Sequence, residues 1–451
     1  MKARWNWMTL SLAAALLLWQ ACSSAESVAP GDDTGGGTDA AVETDAGGFK
    51  DTGGSEDTGS PVDAGYVEVP GTRAFFTVPY PTDERKFFNF PFPSDLRLKP
   101  DGTLDLTGFP SGQGTITSYI DLIAGAAGGW ATQGAAYFKF DAAIGEASLP
   151  AVDASMSATS PVFLVNVDAA SPEKGTFTPL RFKFYKDKVD PTVITYLAQN
   201  LLSVLPESGF PLPAKTTHAF VITRKVKGAD GAPLGSPASF EATKLKSALD
   251  EADLEKARAL YAPVYDYLET LGVKRADVAA MTVFTTQDPY SELRRMRDWL
   301  QDDTHLPQPQ PKGLTYVKKD GALHLYEGTF TTKLFQKGAP PYSAADSGYF
   351  VFDAHGDPVP QREEEVRFAL GVPDGTMPAG GWPIVQQVHG TGGDYLSHFG
   401  TGDPAPELVA EGIASLGFDL PLHGARNTAG WDESLMTFNI QNLLAMRDNF
   451  R

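Results

Sequence analysis

The chain has 451 residues, 21% of them charged, a net charge of −19 and one cysteine, Cys22. That length suits two or three domains. The acidity excludes a nucleic-acid-binding stripe, the lone cysteine excludes a disulfide framework or cysteine-based zinc site, and no apolar run reaches the roughly 18 residues of a membrane-spanning helix.

Lys2 and Arg4 precede an apolar stretch from Met8 to Trp19, and no acid occurs before Glu26. This is the pattern of a secretory signal. Its end, Leu18-Trp19-Gln20-Ala21-Cys22, resembles a bacterial lipoprotein signal, which implies lipidation at Cys22, residues 1–22 as the leader, and an outer-membrane or cell-surface location. Residues 23–68 then carry eleven acids and one lysine among Gly, Thr, Ala and Ser. Such a segment buries too little apolar surface to offset its chain entropy, so it reads as a disordered acidic tether.

Residues 69–310 are rich in turns. Asp101-Gly102 and Asp230-Gly231 read as tight turns, because glycine reaches positive φ without a steric penalty. Strands are expected at Ala136–Phe140, Val162–Val167, Thr178–Phe184 and Thr217–Lys225, and a short helix at Val193–Leu205. These short strands with Pro and Gly punctuation predict a β-rich, sandwich-like module with a helical segment. In that segment Leu254, Tyr261, Tyr265, Leu268 and Leu271 share one helical face, and Gly272 is placed to stop the helix. A strand follows at Ala279–Thr285, then a helix opened by Asp288-Pro289 and running to Leu300.

Residues 311–451 begin with strand patterns at Leu314–Val317, His324–Phe330, Tyr349–Phe352 and Val366–Val372, with Asp320-Gly321 as a hairpin turn. An apolar strand from Trp382 to Val388 then runs into His389-Gly390-Thr391-Gly392-Gly393. Glu407–Glu411 reads as a helix, Gly412–Leu420 as a second apolar strand, and residues 433–450 as helical. Strand, helix, strand, helix predicts a parallel sheet with crossovers.

A strand ending in His-Gly and a glycine-rich turn resembles the oxyanion strand of α/β-hydrolases. Backbone N–H groups held in fixed directions stabilise the negative oxygen formed when a carbonyl is attacked. The resemblance assigns the donors to Thr391 and Gly392, with His389, Gly390 and Gly393 supporting the turn. Upstream, Phe90-Pro91-Phe92-Pro93-Ser94-Asp95, Pro211–Thr223 and Thr282–Thr286 resemble the N-terminal domain of bacterial virulence-factor lipases. Together these likenesses imply a β-rich module followed by an incomplete α/β-hydrolase parallel-sheet domain, an esterase or lipase (lysophospholipase-like) of the serine-hydrolase class, a lipid or ester substrate, and no cofactor.

One part is missing. No Gly-x-Ser-x-Gly elbow occurs in the sequence. Ile413-Ala414-Ser415-Leu416-Gly417 lacks the first glycine, so Ser415 reads as structural. The nucleophile, acid and base are expected beyond Arg451, which reads the chain as a truncated or degenerate relative that is itself inactive. The alternative is a non-catalytic surface lipoprotein that binds a lipid, glycan or protein. His389 reads as an orienter of the turn rather than a base. Ser397-His398 is no dyad by adjacency, and His389, Asp394 and His398 are the only trio that would tempt a metal. Glu363–Glu365 and Asp302-Asp303 read as solvated charges.

Overall fold

Near-continuous apolar runs in three strands build the centre of the first part. In a computed structural model, which describes residues 67–451 apart from 112–113, 188–196, 303, 306–309 and 345, its elements in chain order are α1 (Thr115–Ala126), β1 (Ala136–Lys139), β2 (Val162–Asn166), β3 (Phe177–Thr178), β4 (Leu180–Tyr185), β5 (Leu201–Pro206), β6 (Thr217–Thr223), α2 (Ala238–Ala242), α3 (Ala252–Thr270), β7 (Val278–Thr285) and α4 (Ser291–Leu300). The leader with Cys22, and nearly all of the tether, lie outside the described residues.

Strands β3-β2-β6-β7 form one antiparallel sheet and β1-β5-β4 another. Side chains alternate faces along a strand. Val162 and Leu164 of β2, with Phe220 and Ile222 of β6, pack toward Phe138, Leu180, Leu202 and Val204 of the smaller sheet. Phe163, Val165, Ala219 and Val221 point the other way, onto Ala257, Tyr261, Val264, Tyr265 and Leu268 of α3. The four-stranded sheet is therefore covered on both faces, and β2 is buried along its whole length. Each fully buried large apolar side chain contributes about 1.5–3 kcal/mol.

Helix α3 ends as its sequence demands. Gly272 takes φ 83, its N–H donates to the Glu269 carbonyl, and the Val273 N–H donates to the Leu268 carbonyl. That is a Schellman stop. The helix expected at Val193–Leu205 is not formed where the chain is described: Leu201–Pro206 is β5, the middle strand between β1 and β4. A short apolar run fits either a strand or a helix, and two strand partners decide it. Helix α4 runs from Ser291, and just ahead of it Asp288 accepts from the Tyr290 N–H and from Arg294 on the helix.

The second part contains β8 (Lys312–Asp320), β9 (Leu323–Leu334), β10 (Arg362–Val372), β11 (Ile384–Gln387), α5 (Pro404–Ala410), β12 (Ala414–Phe418), α6 (Glu433–Thr437) and α7 (Leu443–Asn449). Its sheet runs β11-β12-β10-β9-β8. This overturns the expected parallel-sheet hydrolase fold. Only β11 and β12 are parallel, while β12 pairs antiparallel with β10, β10 with β9, and β9 with β8. The hairpin at Asp320-Gly321 and the long register between β9 and β10 commit the sheet to antiparallel pairing before the one crossover, through α5, is reached. The three sheets are antiparallel or mixed, and no parallel-dominated sheet is present among the described residues.

Two further expectations fail here for physical reasons. The apolar run Ile384–Val388 reads as a doubly buried strand, yet β11 is an edge, leaving Ile384 56%, Val385 36% and Val388 61% exposed. Residues 433–450 do not make one helix. Asn442 breaks the helix by donating its side-chain amide to the carbonyls of Tyr342, Ala344 and Ser347, and its oxygen caps α7 at the Ala445 N–H. Helix α5 packs Ala405 and Val409 on Leu323, Leu325 and Ala369, giving the sheet a small core on one face. Arg451 links this part to the first through its ion pair with Glu292 on α4 and its donation to the Pro289 carbonyl.

Candidate functional site

The parallel pair β11 and β12 ends in two loops that meet. The Ile384↔Ala414 to Gln387↔Gly417 register delivers His389-Gly390 and Asp419-Leu420 to the same end of the sheet. Ligands of open sheets gather outside the carboxyl ends of parallel strands, which makes this end the place to examine.

After His389 the chain turns tightly. The Gly393 N–H donates to the Gly390 carbonyl at 3.0 Å, and Gly392, third in the turn, has φ 85. That position needs a left-handed residue, so glycine is required there. The amides of Thr391 and Gly392 take no part in a hydrogen bond among the described residues, and both residues are exposed. Among the described residues nothing lies within 4 Å of a Cβ added at Gly390 or Gly392, so the turn projects into open space.

His389 is buried and holds the turn to the neighbouring loop. The Leu420 N–H donates to its Nε2 at 3.1 Å, so Nδ1 carries the proton and donates to the Gly390 carbonyl at 2.8 Å. Both ring nitrogens are therefore committed to backbone, which suits an orienter and leaves no free lone pair for a base. His423 packs edge-on against it, with ring centroids 5.0 Å apart. Its Nδ1 donates to the Pro421 carbonyl, while its buried Nε2 has no partner among the described residues.

The loop after β12 is organised by a residue that sequence reading passed over. Asp419, fully buried, accepts from Arg367 Nε at 2.8 Å and from the Tyr395 and Ala425 N–H groups at 3.1 Å. Its backbone carbonyl accepts from Arg426, which also pairs with Glu364. The Asp419 carboxylate raises Arg367 above its ordinary pKa, chiefly through this hydrogen bond. One signal was available in the sequence: a carboxylate closing a buried apolar strand must be paired.

The other candidates disperse. Ser415 is fully buried on β12, within 3.4 Å of the Gln387 amide. Ser397 accepts from the Asp394 N–H in a local turn and bonds no histidine. The His398 Nε2 is buried without a partner. Among the described residues no three His, Cys, Asp or Glu side chains converge as metal ligands, and no helix is long and apolar enough to cross a membrane. His218, His305, His324 and His355 lie apart from the turn: the first bonds the Thr216 carbonyl, the second stacks on Trp299, the third pairs with Asp374, and the fourth sits in a turn closed by Asp353. Glu363 and Glu365 are exposed, whereas Glu364 is half-buried and bridges Arg362 and Arg426. Asp302 accepts from the Thr304 N–H and hydroxyl, and Asp303 lies outside the described residues.

No protein-family model matches the chain, and no curated protein matches it.

Proposed function

We propose that the chain is an exported protein, lipid-anchored through Cys22, of the ester-hydrolase and lipase class, whose Gly390–Gly393 turn binds the carbonyl or carboxylate oxygen of a lipid ester. The observation that carries this reading is the pair of unpartnered N–H groups of Thr391 and Gly392, held at the end of β11 by His389. Fixed donors of this kind stabilise an oxygen that gains charge, and in an enzyme one such donor is worth about 3 kcal/mol of barrier. The chain has no Gly-x-Ser-x-Gly elbow, and neither Ser397 nor Ser415 is hydrogen-bonded to a histidine among the described residues. It therefore binds an acyl group without forming an acyl-enzyme.

Backbone amide spectra of the purified protein, titrated with decanoate, test the binding step. Saturable shifts at Thr391 and Gly392 are the expected result, and their absence at both amides refutes it. A fluorophosphonate tests the chemistry. No serine should be labelled, and stoichiometric labelling at one serine would overturn the view that this chain lacks a nucleophile.

A further inference from the structure

We propose a second binding site, in the first part of the chain, for a neutral glycan of two or three sugar units. A cleft of about 670 Å³ opens between the loop at residues 168–173 and the loop at residues 211–216, with Tyr290 at its mouth. That volume lies in the range of small-molecule sites.

The cleft is built before any ligand arrives. One wall is pinned at its base: the Leu212 N–H donates to the Thr132 carbonyl at 2.7 Å, the Lys215 N–H to the Thr286 carbonyl at 3.1 Å, and the Thr286 hydroxyl to the Pro213 carbonyl at 2.5 Å. The other wall is tied to it across the floor. Asp168 accepts from Ala170 in its own loop and from the Thr217 N–H on the opposite side. Lys215 sits at φ 51, a left-handed conformation that a lysine adopts only under restraint. Its side chain is 73% exposed, with the ammonium 3.8 Å from Asp288. A site that is already rigid loses little freedom on binding.

The lining selects the ligand by elimination. Asp168 and Glu173 disfavour an anion, and both Asp168 oxygens are already engaged by amides, which disfavours a bare cation. The open, half-polar lining offers no enclosed apolar volume for an acyl chain. What remains suits a molecule with hydroxyl groups and apolar ring faces. The Tyr290 side chain is exposed and its ring stacks on no other ring among the described residues. Such a ring gives a flat face for sugar C–H groups and a hydroxyl at its edge. Glu173, Ser171 and Lys215 line the same cleft and bring acceptors and donors for sugar hydroxyls.

The proposal is independent of the Gly390–Gly393 turn, so the two readings fail separately. Amide spectra of the full mature protein, recorded with cellotriose, maltotriose and tri-N-acetylchitotriose, test it. At least one trisaccharide should shift Ser171, Lys215 and Tyr290 together and leave Thr391 and Gly392 unmoved. Tyr290→Ala should then weaken binding about tenfold, through the lost ring face and hydroxyl, and Glu173→Gln should weaken it while leaving thermal melting unchanged. The proposal is overturned if none of the three sugars shifts these residues, if the shifts fall elsewhere, or if a decaproline peptide occupies the cleft and the sugars do not.

Discussion

Arg367 on β10 holds the fully buried carboxylate of Asp419 across the antiparallel β10–β12 pair, at 2.8 Å from its Nε. The pairing fixes more than one ion pair. Asp419 also receives the Tyr395 N–H from the loop after β11 and the Ala425 N–H from its own loop, so one carboxylate registers both loops of the candidate site. Asp419→Ala leaves Arg367, whose side chain is 37% exposed, and the partly exposed Tyr395 and Ala425 N–H groups without their acceptor. Because water screens the partly exposed groups left behind, the loss should be about 1–3 kcal/mol, and urea unfolding should show a drop of that size. A loss below about 1 kcal/mol would mean that the carboxylate does not organise these loops.

His218 makes stability depend on pH. Burial, partly opposed by its bond to the Thr216 carbonyl, pushes its pKa from 6.5 down to about 4. The folded chain thus keeps the ring neutral where the unfolded chain protonates it. Stability from this residue is complete above pH 6.5 and is lost as pH falls toward 4, up to about 3 kcal/mol. His218→Phe, which keeps the stack on Phe284, should remove this dependence. Equal slopes for both proteins between pH 6.5 and 4 would show that His218 is not the titrating group.

The two edges of the five-stranded sheet are guarded unequally. β8 carries Lys312, Lys318, Lys319 and Asp320 and two irregularities in register, whereas β11 is Ile-Val-Gln-Gln with no charge. An uncharged apolar edge invites pairing with other chains. Light scattering of the purified protein should rise with concentration, and Val385→Lys should suppress that rise. Identical scattering from both proteins would place the association elsewhere.

Cys22 carries the anchoring expectation. Cys22→Ala should release the protein from membranes or block removal of its leader, as read by fractionation and by the mass of the mature chain. A variant that fractionates and matures like the parent would contradict lipidation at this residue.

What the sequence determined by itself was local. The short apolar runs at Val162–Asn166 and Thr217–Thr223, the helical face of Tyr261, Tyr265 and Leu268, and the glycines at 272, 321 and 392 are local patterns, so composition, period and backbone sterics suffice to read them. The glycine-rich turn at 390–393 was legible for the same reason, whereas the bond from the Leu420 N–H to His389 is a tertiary contact. The tertiary structure decided everything that required knowing a strand's neighbour. Ile384–Val388 has the composition of a buried parallel strand, yet it lies exposed at an edge, and Leu201–Pro206 became a strand because β1 and β4 flank it. The same holds for the antiparallel β10–β12 pairing that replaced the expected parallel sheet, and for Arg367 meeting Asp419 across it. Pairing partners far apart in sequence are selected by long-range packing, which composition and spacing do not encode.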